Sequence, residues 1–243
     1  MSYPTEVLLP SDAKYIGFVD DKIPFNSNWD IVWSFSYALT GSQHGFCTFL
    51  TTNSSLTGGI PGQYLGYLGE SPNYTTNGVL SIAFDSTGYF ALSSNSNSGV
   101  SVVDVIPNSL IIRDNSDQVI YNQSLSSLDT EFLISETPKT YKTLRFRLSN
   151  GGRMLYIDYK GFQKKYKNLL SLPISFDIST YNTLYPGFTF CSPISSASLQ
   201  PSTLFLKNFH TQGCMLDPTY ETVTCVPLSS ANVKTYSTIS GIL

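Results

Sequence analysis

The amino-acid sequence predicts an all-β sandwich, two antiparallel sheets stacked on one hydrophobic interior. Apolar and polar residues alternate in short segments, the period of two that arises when successive strand side chains point to opposite faces. Glycine, proline, asparagine and serine separate these segments, and no stretch keeps three-four apolar spacing over a helical length. Aromatic residues form 14% of the chain and charged residues only 13%, so a large core is available without disulfides or metals.

In chain order, the alternating segments 15–19, 29–38, 45–51, 64–68, 79–85, 89–92, 100–105, 109–113 and 119–122 are expected strands. They are followed by 141–149, 153–160, 170–177, 185–191 and 203–211. Any helix is short, and 180–184 is the best candidate for one turn. Polar low-complexity stretches at 51–62, 93–99 and 192–202 read as surface loops. Beyond residue 211 the alternation weakens and Pro218 and Pro227 interrupt it. The expected organisation is one sandwich over 1–211 and an extension over 212–243 that wraps it or meets a partner.

One hairpin can be registered from the sequence. With Gly151 and Gly152 as the turn, Leu148 faces Leu155, Phe146 faces Ile157, and Arg145 faces Asp158. Leu144, Phe146 and Leu148 then point inward with Lys142 on the same side, while Thr143, Arg145 and Arg147 point outward.

Formal charge is −3, which excludes a general nucleic-acid binder because phosphate neutralisation needs a basic surface. The first ten residues, with Glu6 and two prolines, lack a basic-then-apolar signal, and no apolar run reaches membrane-spanning length. Four cysteines are too few for a disulfide framework. Cys47 and Cys191 sit in apolar strands and read as buried thiols, whereas Cys214 and Cys225 either form a disulfide or stay reduced. With only His210 nearby, they do not make a zinc site. His210, ending an apolar strand, reads as a half-buried, hydrogen-bonded imidazole.

Three segments occur in an informative order: His44-Gly45-Phe46-Cys47-Thr48-Phe49-Leu50, then Gly58-Gly59, then Ala83-Phe84-Asp85. They resemble the Asp-Gly strand, the Gly-Gly loop and the Glu-Phe-Asp strand of the L-type, legume-like lectins. Residues 185–190 and 203–209 resemble that family's two closing strands, so the resemblance spans about residues 29 to 212. It implies a concanavalin A-like jelly-roll sandwich and a glycan ligand, bound by loops carrying His44, Gly58, Gly59, Asp85, Asn95 and Asn97.

The departures from the family pattern bear on function. His44 stands where the family has a sugar-binding Asp, and an imidazole cannot reproduce a two-oxygen acceptor. Ala83 stands where the family has a metal-binding Glu, and 86–92 adds no carboxylate. Calcium takes six to eight oxygens, so no bound metal and no cofactor are expected, and Asp85 reads as a hydrogen-bonded strand-end residue.

Glycoside hydrolysis needs two carboxylates across the scissile bond, usually on one strand face. The nearest approach here, Asp129, Glu131 and Glu136, puts the two glutamates on opposite faces of a regular strand. No Gly-x-Ser-x-Gly elbow or phosphate-binding glycine motif is present, so the chain reads as non-catalytic. The sequons at Asn53, Asn73 and Asn122 are common by chance in a Ser/Thr-rich chain.

Nine of the chain's fourteen cations lie between Lys139 and Lys167, against one acid, Asp158. Arg145, Arg147, Lys164 and Lys165 mark a patch for an anionic glycan or acidic subunit, or a solvated sheet face that discourages edge aggregation. Three functions stay open. They are a glycan-binding or attachment module, a homo-oligomeric or virion-surface structural protein anchored through 212–243, and a glycosidase, in descending order.

Overall fold

The computed structural model describes residues 7–8, 15–19, 23–24, 29–40, 45–54, 65, 67, 78–92, 104–128, 141–149, 152–161, 165–191, 203–216 and 223–227. Fourteen strands run through them: β1 Val7–Leu8, β2 Tyr15–Val19, β3 Ile23–Pro24, β4 Trp29–Thr40, β5 Gly45–Thr51, β6 Gly78–Asp85 and β7 Ser109–Arg113. The remainder are β8 Val119–Ser124, β9 Lys142–Ser149, β10 Met154–Lys160, β11 Lys167–Pro173, β12 Thr183–Cys191, β13 Thr203–Leu216 and β14 Val223–Pro227. They form two antiparallel sheets of seven, ordered β1-β13-β4-β9-β10-β11 with β14 beside β13, and β2-β12-β5-β6-β7-β8 with β3 beside β12. This is the expected sandwich of two antiparallel sheets.

Alternation decides what fills the space between the sheets. Ile31, Trp33, Phe35, Tyr37 and Leu39 of β4, with Leu144, Phe146 and Leu148 of β9, meet Phe46 and Leu50 of β5, Leu80, Ile82 and Phe84 of β6, and Leu110 and Ile112 of β7. Each large side chain withdrawn from water contributes about 1.5–3 kcal/mol before entropy is charged against it. One polar pin crosses this interior. Trp33 Nε1 donates to Thr48 Oγ1 at 3.0 Å, and Thr48 Oγ1 donates to the Gly187 carbonyl at 2.9 Å.

Sheet two is also covered on its outer face. Cys47, Phe49, Ala83 and Ile111 point away from the main core and are capped by Leu65, Tyr67, Phe90 and Ala91. Every residue of β5 is therefore buried, and neither face of Gly45–Thr51 needed polar residues. Cys47 is a free buried thiol, as its apolar strand implied, and its sulfur donates weakly to the Thr48 carbonyl at 3.6 Å. Burial pushes that thiol far above the usual range, so it is inert.

The β9–β10 register matches the sequence derivation at each pair it named: Leu148 with Leu155, Phe146 with Ile157, and Arg145 with Asp158. Other expectations are corrected. Residues 89–91 form a 3-10 turn and not a strand, because Gly88 at φ 78° bends the chain and Ala91 N–H donates to the Gly88 carbonyl at 3.1 Å. Leu65 and Tyr67 lie in turns, with Leu65 at φ 51°; the rest of 64–68 lies outside the described residues. Residues 104–105 are not in a strand, and 100–103 lie outside the described residues.

The strand placed at 170–177 runs instead over Lys167–Pro173. A bulge at Ile157/Asp158 lets Asn168 pair with Asp158, and past Pro173 the Ile174 N–H turns to the Arg153 carbonyl at 2.8 Å. Ile174 and Ile178 still reach the core, which is why the alternation persisted in the sequence. Among the described residues the one α-helical turn is Leu125–Leu128, and the 3-10 turn near 180 covers Ile178–Thr180. β13 runs on past residue 212 to Leu216 and is flanked by β14, which sets residue 214 opposite residue 225. Residues 228–243 and the side chains of 191, 214 and 225 lie outside the described residues.

Thr48→Val is isosteric but leaves the wholly buried Trp33 N–H without its acceptor, so stability in urea should fall by about 1–3 kcal/mol. A denaturation midpoint equal to wild type would show that the Trp33–Thr48 pin is not made.

Candidate functional site

β6 ends at Asp85, whose Cα partner across the sheet is Gly45, the residue that follows His44 in the chain. The register thus brings the first and third resemblance segments together at one end of the two central strands of sheet two. Gly45 is obligatory there: at φ +142°, an added Cβ would lie 2.0 Å from the Phe84 carbonyl oxygen. His44, Gly58, Gly59, Asn95 and Asn97 lie outside the described residues, as does Lys164.

Asp85 is wholly buried and its carboxylate organises the turn that follows. Oδ1 accepts from Thr87 N–H and from Thr87 Oγ1, both at 2.8 Å, and Oδ2 accepts from Phe90 N–H at 2.7 Å. The strand-end role read from the sequence is the one observed.

Arg113 is the residue that sequence reasoning missed. It closes β7 on the same outer face as Ser109 and Ile111, opposite Ser81, and is 0% exposed. Its Nε and Nη2 donate to the Phe90 carbonyl and Nη2 also to the Leu92 carbonyl at 2.7 Å. Nη1 donates to the Asp117 carbonyl at 2.7 Å and lies 3.4 Å from the Asp117 carboxylate. Burial raises the Asp117 carboxyl above its ordinary value, and the Arg113 charge opposes that shift without cancelling it. A lone cation ending the apolar run Ser109–Arg113 was the available signal, since a buried guanidinium must have several acceptors.

These residues do not suit the metal pair that the resemblance implies. Ala83, at the position of the missing Glu, packs in the apolar cover with Cys47, Phe90 and Ile111. Asp85 already accepts three hydrogen bonds, and among the described residues no group of three His, Cys, Asp or Glu side chains could hold an ion.

On the opposite sheet, part of the basic stripe is engaged across strands. Arg145 donates through Nε and Nη2 to Asp158 Oδ2 at 3.0 and 2.7 Å, and Asn168 Nδ2 donates to Oδ1 at 3.1 Å. The guanidinium of Arg145 stands 4.3 Å from the Tyr166 ring centre, and that of Arg147 stands 4.3 Å from the Tyr156 ring. Arg147 and Lys165 remain exposed. His210 is exposed and not half-buried: a bulge between Lys207 and His210, with Asn208 at φ 55°, shifts the register ahead of it.

No model of a known protein family and no curated protein matches the chain. Solved structures match in fold. The seed lectin of Lotus tetragonolobus is 13% identical with a TM-score of 0.56, covering 90% of this chain and 96% of the lectin. Lectin I from Ulex europaeus, in complex with the methyl glycoside of α-L-fucose, is 13% identical with a TM-score of 0.54, covering 88% and 94%. Lectin I-B4 from Griffonia simplicifolia, in a metal-free form, is 15% identical with a TM-score of 0.53, covering 79% and 77%. At these identities the likeness is one of fold: the chain has the jelly-roll sandwich seen in legume lectins.

Gly45→Ala should cost about 1–3 kcal/mol or more, since it adds a backbone clash to a conformation that L residues rarely adopt. An unchanged melting midpoint would exclude this geometry at the start of β5.

Proposed function

We propose that the protein is a non-catalytic carbohydrate-binding module whose site lies at the end of the central strands of sheet two, beside Asp85. His44, Gly58, Gly59, Asn95 and Asn97 supply its rim. The observation that supports this reading most is the Gly45–Asp85 pairing, which sets two of the three resemblance segments side by side in a fold shared with sugar-binding lectins. Glycine backbone and amide side chains suit hydroxyl-rich ligands, because sugars need convergent donors and acceptors more than apolar depth. An imidazole at position 44 can both donate and accept, so it selects a different hydroxyl pattern from a carboxylate.

The second reading is a homo-oligomeric or particle-surface subunit, virion components included. Its support is the β14 strand docked on β13, which leads the chain toward residues 228–243 from the edge of a sheet. Arg147 and Lys165 could then meet an acidic neighbour or an anionic glycan through the exposed face of sheet one.

A glycan array is expected to show binding that His44→Ala weakens at least about tenfold, the loss of one or two good hydrogen bonds. Binding unchanged by that substitution would move the site elsewhere. Incubation with plant, marine and bacterial polysaccharides is expected to release no reducing ends; sustained release would replace the binding reading by hydrolysis. Sedimentation of the full chain and of a chain lacking residues 228–243 tests the second reading, which requires an assembly that the shorter chain loses.

A further inference from the structure

We infer that segment 86–92, beside the proposed rim, is held by an internal carboxylate–guanidinium clamp where the resembling lectins use a metal pair, with Arg113 as its positioning residue. Phe90 is gripped at both ends of its backbone: its N–H donates to Asp85 and its carbonyl accepts from Arg113. Thr87 ties the start of the segment to Asp85 through both N–H and hydroxyl, and Leu92 ties its end to Arg113. The 3-10 turn Tyr89–Ala91 between them has buried Phe90 and Ala91 beneath it.

The donor chemistry explains the exchange. A divalent ion gathers several oxygens, and so does Arg113, which distributes bonds to the carbonyls of Phe90, Leu92 and Asp117. A guanidinium stays charged throughout the accessible pH range and cannot be chelated. Its ring contact reinforces the arrangement, since the Arg113 guanidinium lies 5.2 Å from the Phe90 ring centre. Ala83 beneath that ring adds apolar cover where a metal-binding acid would need water or an ion.

The inference rests on the proposed binding site only for its functional meaning; the clamp is tested without any glycan. Thermal melts of the full chain would be run with EDTA and with millimolar Ca²⁺ and Mn²⁺, beside hydrogen exchange read at Phe90, Ala91 and Leu92. The expected result is a melting midpoint within about one degree in all three conditions, because a ligand that does not bind cannot stabilise. Arg113→Met should speed exchange at those amides at least about tenfold while the β9–β10 hairpin is unchanged, with Arg113→Lys between the two. If Arg113→Met does not fold, Thr87→Val, which removes the hydroxyl that donates to Asp85 and accepts from Tyr89 N–H, should still speed the same amides about threefold. A midpoint that falls with EDTA and rises with Ca²⁺ or Mn²⁺ would overturn the clamp, as would local exchange unaltered in Arg113→Lys and Thr87→Val. Glycan binding enters none of these readouts, so either idea can fail alone.

Discussion

Phe35 is the point where the two sheets become one body. Its ring stacks on Phe146 of its own sheet at 5.7 Å and on Phe209 at 5.8 Å, and meets Phe46 and Phe188 of the other sheet edge-on at 6.0 and 5.1 Å. Phe46 continues the contact by stacking on Phe84 at 4.9 Å. Sheets packed face to face lie about 10 Å apart, a gap that rings fill well because they bury large area with few rotatable bonds. Once this layer is set, a one-residue slip in β4 or β5 would turn every inward ring of that strand away from the shared interior, so the register of both sheets follows from it.

The second consequence is directional. The outward face of β9 and β10 is partly open, with Thr143, Arg145 and Tyr156 half-buried and Arg147 exposed, whereas β5 and β6 are buried on both faces. The cover over sheet two is made from chain that leaves β5 and β6 and folds back, bringing Leu65, Tyr67, Phe90 and Ala91 onto Cys47, Phe49 and Ile111. Such a return is costly in backbone order, and the Asp85 and Arg113 hydrogen bonds offset that cost at the turn.

Charge on the other sheet behaves differently from its appearance in one dimension. The run from Lys139 to Lys167 looks like a basic stripe, yet across strands Arg145 meets Asp158, and Tyr156 and Tyr166 lie against guanidinium groups. Half-exposed pairs of this kind contribute little stability each but hold the strand face in one arrangement. What faces outward is therefore a mixed aromatic and cationic surface in which Asp158 offsets the charge of Arg145.

Alternation and turn chemistry, both local, were enough to read the sandwich, most strand positions and the β9–β10 register down to Arg145 opposite Asp158. The same locality explains the errors: 89–92 alternates like a strand, but Gly88 and the reach of Asp85 turn it into a 3-10 turn. At the candidate site, Asp85 was visible as a strand-end acid, while Arg113 was overlooked although it grips the same segment. Only the folded chain brings residue 113 beside residues 90 and 92, because contacts between distant segments depend on strand order, which no local pattern encodes. Side-chain periodicity follows from each strand's own backbone geometry; partnership across sheets follows from how all the strands are packed together.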